Sequence, residues 1–208
     1  WQLNAIETDK PGKLNALNLA EAAAPAGISI YLDADVIVSP ALIGQLTTTL
    51  ARPDPVYASG TPHVVAHGSP LLRAYARFWT GLPFVAQGVP GFGIFAVNAT
   101  GRARWDAFPD IISDDTFVRL HFAPGERIRV PARYDWPMID GLRNLIRVRR
   151  RQDTGVAEIA RDYPQLLQND ANRPLGLSGL LRHLARDPGG FFAYVMVSLL
   201  VRLPVARS

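Results

Sequence analysis

An apolar run that ends in two aspartates constrains the fold of this chain more than any other feature. Residues 28–32 are Ile-Ser-Ile-Tyr-Leu, and Asp33-Ala-Asp35 follows directly. Such a run is typical of a buried strand in a parallel sheet, where the two-residue period points Asp33 and Asp35 the same way. Ligands of open α/β sheets collect outside the carboxyl ends of such strands. The pair therefore predicts a site for a divalent cation that also contacts phosphate oxygens, while helix capping or a surface loop is the simpler alternative.

Helical and extended patterns alternate along the chain. Helices are predicted at 13–24, 40–50, 70–79, 99–107 and 116–122, and from residue 141 onward. Strands are predicted at 28–32, from 56, at 94–98 and at 127–130. This alternation predicts an α/β fold with a mostly parallel sheet flanked by helices.

Charge is distributed unevenly over the 208 residues. Residues 1–142 carry 11 basic and 13 acidic side chains, whereas residues 143–208 carry 11 basic and 5 acidic ones. We therefore predict a core at 1–142 and a basic helical tail at 143–208 that faces a phosphate-rich or membrane neighbour. Nucleic acid is not an expected partner, because no readout motif accompanies the basic tail. The chain has no cysteine, which excludes disulfides, thiolate metal sites and a cysteine nucleophile.

The last apolar segment leaves two interpretations open. Residues 189–201 contain no charged side chain, but the segment is shorter than the roughly 20 residues that span a bilayer. It is either a helix at the membrane interface or a buried core helix. We expect a cytoplasmic protein, either free or held at the cytoplasmic face of a membrane.

A second acidic pair, Asp114-Asp115, lies 80 residues after the first. It precedes a predicted helix, so N-terminal capping and complementation of the helix dipole explain at least one of the two acids. Paired carboxylates also raise the pKa of one member, which suits a general base. Lys13, near the start of the first helix, is either a phosphate contact or a solvated side chain.

The order of these motifs resembles glycosyltransferase family 2. The resemblance covers residues 8–155 and rests on four segments: Gly12-Lys13-x-x-Ala-Leu-Asn, the Asp-Ala-Asp after a strand, a glycine-rich segment ending at Gly93-Ile-Phe-Ala-Val-Asn, and Ser-Asp-Asp-Thr-Phe-Val. It implies a GT-A (Rossmann-like) fold and an inverting, Mg²⁺- or Mn²⁺-dependent transfer from a nucleotide-sugar donor. The implied acceptor is a hydroxyl of a glycan, a lipid-linked sugar or a small molecule.

The resemblance also assigns roles to residues. Asp35 would be the direct metal ligand and Asp33 would contact the nucleotide or share the metal. Asp115 would deprotonate the acceptor, with Asp114 as its partner. The assignments to the donor side are Lys13, Gly91 and Gly93, although the two glycines also have an ordinary explanation in turns.

The chain departs from the family pattern in two places. The first strands that hold the nucleotide base would precede Trp1, so we expect an N-terminally incomplete domain. The Gln-x-x-Arg-Trp motif of processive synthases corresponds to residues 147–155, which keep arginines and lack the tryptophan. Diphosphate contact by Arg150 or Arg151 is one interpretation of this segment, and a solvated basic helix face is the other.

Parts of the sequence also fit other functions. The Asp33-x-Asp35 motif also resembles the nucleophile motif of haloacid-dehalogenase phosphatases, although both lysines of the chain precede it. An inactive transferase fragment that only binds a partner is the non-enzymatic alternative. The spacing of His63 and His67 fits helical zinc ligands, but ordinary loop or strand histidines are expected. Aromatic residues 75, 78 and 79 are predicted in the core or in a groove, with an acceptor platform as the alternative.

Overall fold

The computed structural model of the chain describes residues 3–24, 27–171 and 176–204. Helices in these residues are α1 (Lys13–Ala23), α2 (Leu42–Leu50), α3 (Pro70–Thr80), α4 (Pro83–Ala86), α5 (Ala99–Arg102), α6 (Asp114–Leu120), α7 (Leu142–Asp162), α8 (Leu177–Arg186) and α9 (Pro188–Arg202). Strands are β1 (Ser29–Leu32), β2 (Ile37–Val38), β3 (Tyr57–Val65), β4 (Ile94–Val97) and β5 (Arg127–Pro137). Two 3₁₀ segments complete the described elements, Pro124–Glu126 and Pro164–Asn169.

The five described strands form one mixed sheet in the order β1-β4-β3-β5-β2. The α/β class predicted from the sequence is confirmed. The prediction of a mostly parallel sheet is not, because β3 and β5 are the parallel pair and the other three described pairings are antiparallel. β4 pairs directly beside β3 and runs in the opposite direction. The helices between these two strands therefore do not form the crossover that joins parallel strands.

This pairing brings the carboxyl end of β1 and the amino end of β4 to the same end of the sheet. β1, β3 and β5 run in the same direction, and β4 runs against them. The residues that follow β1 therefore lie beside the residues that precede β4. The two aspartates and the glycine-rich segment meet at this end for that reason.

The two faces of the sheet are covered by different clusters of side chains. One cluster is aromatic and includes Tyr31, Tyr57 and Phe95, with residues of α6 and α7 packed on it. The other lies under α2, whose buried leucines are Leu42, Leu46 and Leu50. Their spacing of four residues makes one apolar stripe along the helix, which is the reason that α2 packs on this face.

β5 is longer than the strand predicted at 127–130. It continues to Pro137, and the buried positions 130, 132 and 134 alternate as expected for a half-buried strand. The extension includes Pro131, which cannot donate to a ladder. It is accommodated at an irregularity of the β3–β5 register between Ser59 and Thr61. The helix predicted at 99–107 is shorter than expected and ends at Arg102.

The C-terminal part packs on the rest of the described chain. The predicted boundary at residue 142 falls at the first residue of α7, and buried residues from both sides of it share clusters. α9 packs against α3 and buries Ala193 and Val197, while Phe192 is 65% and Leu199 is 58% exposed. The buried face of α9 agrees with a core helix, and the helix at the membrane interface stays a prediction. No single described helix has the length and apolar character of a membrane span. Two consecutive helical segments, 178–186 and 188–202, have that length and composition together, with a bend of 120° between them.

Candidate functional site

Lys13 connects the two acidic motifs. Its Nζ lies 2.8 Å from Asp33 Oδ1 and 3.0 Å from Asp114 Oδ2. The Lys13 side chain is about half exposed, whereas only 6% of Asp114 is accessible. One ammonium group therefore joins a carboxylate that follows the end of β1 to a carboxylate at the start of α6.

Polar contacts fix helix α1, which buries none of its side chains fully. Asn18 exchanges two hydrogen bonds with the backbone of Phe108, at 2.9 and 2.7 Å. Glu21 accepts hydrogen bonds from Arg102, which follows β4, and from the Tyr31 hydroxyl. These contacts tie α1 to β1, to α5 and to the loop that follows α5, so the position of Lys13 depends on them.

The glycine-rich segment lies directly beside the first acidic motif. Asp33 donates its backbone N–H to Gly93 O at 2.9 Å, which continues the β1–β4 ladder by one residue. Gly93 has φ +80°, and a Cβ there would lie 2.7 Å from Trp136 Cδ1 and 2.9 Å from Val36 Cγ2. Gly91, at φ +76°, also adopts a conformation that side chains rarely accept. Both glycines are therefore required by the backbone, and both line the same cleft as the aspartates.

The second acidic pair begins α6. Ser113 is the N-cap residue and makes no side-chain capping bond, while Asp115 Oδ1 accepts the N–H of Thr116 at 2.7 Å. α7 holds the preceding loop, because Glu158 Oε2 accepts the N–H of Ile112 at 2.8 Å. Complementation of the helix dipole accounts for the acids being tolerated there, but not for the cleft that both of them line.

The two acids and Lys13 influence one another electrostatically. Burial, and next the charge of Asp114, raise the pKa of Asp115 above its ordinary value of 3.8, although the Thr116 hydrogen bond, Arg119 and Lys13 oppose the shift. Burial lowers the pKa of Lys13, but the two carboxylates it contacts raise it by more, so the net shift is upward. Lys13 thus stays charged, and the carboxylate of Asp115 binds a proton more tightly than an ordinary aspartate does.

These groups line one cleft of about 610 Å³, which we call the acidic cleft. The candidate residues that line it are Lys13, Asp33, Asp35, Gly91, Gly93, Asp114, Asp115 and Arg151. Asp35 is exposed, and its carboxylate has no hydrogen-bond or ion-pair partner among the described residues.

Arg150 is the one candidate that points elsewhere. It donates to the carbonyl oxygens of Leu200, Val201 and Leu203, at 2.9, 2.9 and 2.7 Å, and so caps the end of α9. Arg151, its neighbour on α7, lines the acidic cleft instead. A helix rotates by about 100° per residue, which separates the directions of two adjacent side chains.

Sequence reasoning missed several residues of the site. Trp136 and Gln152 line the acidic cleft and also a recess of about 230 Å³ that Asp115 lines as well, which we call the Asp115 recess. Trp136 contacts Phe92 and Trp79 with ring centroids 5.0 and 5.9 Å apart. The signal for Trp136 was its place in register with positions 130, 132 and 134, which a strand prediction ending at 130 could not use.

The remaining aromatic candidates lie in the core or along a groove, and His63 lies in a strand. Tyr75 and Phe78 are buried, as predicted for core aromatics, and Trp79 borders a groove of about 370 Å³ together with Asp35 and Trp136. His63 is a strand residue whose Nδ1 lies 2.7 Å from Asp135 Oδ1.

The described residues include no cluster of three or more histidine or acidic side chains arranged around a metal position. The acidic cleft offers instead one unpaired carboxylate, a lysine shared between two acids, and a carboxylate of raised pKa. Comparisons with family models, with curated proteins and with solved structures gave no match.

Proposed function

We propose that the chain is a metal-dependent inverting glycosyltransferase domain of family 2 type, with a GT-A-like core. It would move a sugar from a nucleoside-diphosphate donor to an acceptor hydroxyl. The observation that carries this proposal is the meeting of the two acidic motifs, 80 residues apart, in one cleft through Lys13. Strands, glycines and acids of four separate segments contribute to that cleft.

The donor side is supported by the charges around Asp35. A divalent cation that keeps waters and phosphate oxygens as ligands needs one or two protein carboxylates, and Asp35 offers an unpaired one. Asp35 would hold Mg²⁺ or Mn²⁺, with Asp33 beside it. The bound ion would supply charge neutralisation on the departing diphosphate. Lys13 and Arg151 line the same cleft and would contact the phosphate oxygens directly.

Asp115 is the best candidate for the base. A carboxylate of raised pKa accepts a proton more readily, which suits removal of the proton from an acceptor hydroxyl. That oxygen would form a bond to the anomeric carbon while the bond to the donor phosphate breaks on the opposite side. The role of the cleft is then to position the two reactants in line, which is a large part of catalysis in transfers of this kind.

The acceptor side is supported by residues shared between cavities. Asp115, Trp136 and Gln152 line both the acidic cleft and the Asp115 recess. An acceptor in the recess would therefore lie next to the base and next to the donor. Trp136 offers an aromatic surface at the junction, and Gln152 offers an amide that can hydrogen-bond a hydroxyl group.

We also propose that the basic tail faces a membrane surface from the cytoplasmic side. The support comes from α8 and α9, which carry Arg182, Arg186 and Arg202 beside exposed apolar side chains such as Leu181 and Phe192. Arginines flanking apolar side chains are the pattern of helices that lie at a bilayer interface.

The test is a transfer assay with a panel of sugar nucleotides, Mn²⁺ and mixed glycan, lipid-linked and small-molecule acceptors. We expect release of one nucleoside diphosphate and a product of inverted anomeric configuration, read by NMR. Asp115→Asn should lose the transfer but keep donor binding. Loss of both in the folded variant would contradict the assignment of the base, and a retained configuration would contradict the inverting mechanism.

One contact favours a second candidate. A haloacid-dehalogenase-like phosphatase needs a cation beside its nucleophilic aspartate, and Lys13 Nζ lies 2.8 Å from Asp33 Oδ1. Hydrolysis of p-nitrophenyl phosphate that is lost in Asp33→Asn, without any sugar transfer, would establish this candidate instead. A folded chain that neither transfers nor hydrolyses, and that binds no nucleotide, would leave only a binding module.

A further inference from the structure

Two arginines lie in the wall of a separate, mostly apolar cavity of about 480 Å³, which we call the Arg127 cavity. Its apolar wall comes from α3, α4, α8 and α9 and includes Phe78, Phe84, Leu180, Phe191, Tyr194 and Val195. Its charged groups are Arg119, on α6, and Arg127, at the start of β5. The described lining residues include no acidic side chain.

Arg119 is only partly compensated. It is 5% exposed, and its Nε is buried without a hydrogen-bond partner in the described part of the chain. The nearest carboxylate contact is Asp170 Oδ1, 3.9 Å from Nη1, which is beyond hydrogen-bond distance, and Asp170 lines the Asp115 recess rather than this cavity. The guanidinium otherwise lies over the ring of Phe84, at 5.2 Å from its centroid. Asp115, one turn away on α6, is the other carboxylate whose charge acts on Arg119. A buried cation without a hydrogen-bonded carboxylate among the described residues is costly, and an anion beside it would reduce that cost.

Arg127 adds a second positive charge to the same wall. Its hydrogen bonds go to the carbonyl oxygens of Phe122 and Asn169, and the charges of Asp170 and Glu126 act on it without a hydrogen bond to either. Burial, and next the neighbouring Arg119, lower the pKa of Arg127 to about 10. Two guanidinium groups of one sign thus face an apolar cavity, and that combination suits a ligand with an acidic head and a hydrocarbon chain.

The cavity is also next to the proposed base. Asp115 and Arg119 are four residues apart on α6, so they are neighbours on one face of the helix, a single turn apart. Arg119 and Phe84 line both the Arg127 cavity and the Asp115 recess. A head group bound by Arg119 would therefore present its other polar groups to Asp115.

We infer that the Arg127 cavity binds an amphiphile with an acidic head group on Arg119 and Arg127 and an alkyl or prenyl chain among the apolar side chains. Building on the proposed function, this amphiphile is the acceptor, and a hydroxyl of its head group receives the sugar. The hydroxyl oxygen bonds to the anomeric carbon, its proton passes to the Asp115 carboxylate, and the nucleoside diphosphate leaves with the electrons of the broken bond.

The test measures binding without any donor, by calorimetry with decyl phosphate below its micelle-forming concentration. Decanoate distinguishes a carboxylate from a phosphate head, inorganic phosphate lacks the chain, and decyl maltoside lacks the acid. We expect decyl phosphate or decanoate to bind at least about tenfold more tightly than the last two probes. Equal binding of decyl phosphate, decanoate and decyl maltoside would overturn the inference, because the arginines would then contribute nothing.

Three variants locate the site. Arg119→Gln should weaken binding of the acidic amphiphile about tenfold or more by removing the charge, and Val195→Phe should do so by filling the space for the chain. Arg161→Gln, at the exposed end of α7, is the matched control and should bind like the parent chain. Arg127→Gln replaces Arg119→Gln if the latter fails to fold by circular dichroism. Unchanged binding in folded charge and cavity variants would overturn the inference.

A nucleoside-diphosphate titration of the same preparation separates the two proposals. If nucleotide binds and decyl phosphate and decanoate do not, the acceptor assignment fails and the transferase proposal stands. If an acidic amphiphile binds in the Arg127 cavity but no nucleotide binds, the cavity is confirmed as a binding site and its role as an acceptor site is overturned.

Discussion

Lys13 and Asp114 are 101 residues apart in the chain, and Lys13 Nζ lies 3.0 Å from Asp114 Oδ2. The same ammonium group contacts Asp33 at 2.8 Å. This arrangement lets two acidic motifs lie in one cleft before any ligand arrives. It also makes Lys13 a group that can exchange a carboxylate partner for a phosphate oxygen.

Replacing Lys13 by glutamine should leave Asp33 and Asp114 without their shared cation. We expect nucleoside-diphosphate binding to weaken about tenfold or more, because a charge-assisted contact to phosphate is lost and the carboxylates repel the ligand. Calorimetric titration measures the change. Lys10→Gln is the matched control, since Lys10 is exposed and its hydrogen bonds, to Thr8 and from Asn15, are made by its backbone N–H and carbonyl oxygen. Equal affinities in the Lys13 variant and the parent would contradict the role given to Lys13.

Asp115→Asn should stabilise the fold at neutral pH while it abolishes transfer. The pKa of Asp115 is raised in the folded chain, so the folded state binds this proton more tightly than the unfolded state does. The parent therefore loses stability relative to the variant as pH rises through the interval between the two pKa values. Thermal melts at several pH values test this, and the advantage of the variant should shrink toward acid pH. An advantage that grows toward acid pH would contradict the direction of the shift.

Asp114→Asn should move the acid limb of the pH–rate profile to lower pH. The charge of Asp114 is the second cause of the raised pKa of Asp115, after burial, and asparagine removes it. A base must be deprotonated to act, so activity should then persist to more acidic pH than in the parent. The measurement is kcat/KM against pH. A shift of the acid limb to higher pH would rule out Asp115 as the titrating base.

Gly93→Ala should destabilise the chain by about 1–3 kcal/mol. Residue 93 has φ +80°, and a Cβ would press on Trp136 and Val36 at the edge of the acidic cleft. Urea unfolding measures the free energy. Gly44→Ala is the control, since residue 44 lies inside α2 with open space around it, and there alanine should be neutral or stabilising. A Gly93 variant as stable as the parent would show that the close approach is not required.

Arg150 and Arg151 should separate stability from binding. Arg150→Ala should cost about 1–3 kcal/mol of stability by uncapping the carbonyl oxygens at the end of α9, with little change in nucleotide affinity. Arg151→Ala should leave stability nearly unchanged and weaken nucleoside-diphosphate binding about tenfold. Unfolding curves and calorimetry on both variants test the pair. The reverse pattern would exchange the roles of the two arginines.

Local patterns predicted much of this structure, because they depend on side-chain period and on breakers. The strand before Asp33, the helix from Pro70 and the helix of the second acidic pair follow from such patterns. The direction of β4 did not, since strand pairing is a long-range property that helix–strand alternation does not determine. The extension of β5 past Pro131 was missed because the irregular register that accommodates a proline has no local signal.

The candidate site was predictable in its acids and glycines and unpredictable in its walls. Asp33, Asp35 and the 114–115 pair were marked by residue type and position, and the cleft contains all of them. Trp136 and Arg119 are ordinary residues in the sequence, and their interest arises only from burial and from neighbours far away in the chain. Adjacent arginines 150 and 151 could not be distinguished without the direction of each side chain on α7.

The most direct test of the central claim is calorimetric titration with UDP, GDP, dTDP and CDP, each with Mn²⁺ and again with excess chelator. The account predicts that one nucleotide binds, that chelator removes the binding, and that Asp35→Ala abolishes it. Asp54→Ala, in the exposed loop before β3, should bind like the parent. Binding that is independent of both the metal and Asp35, or no binding of any nucleotide by the folded chain, would contradict the donor site proposed here.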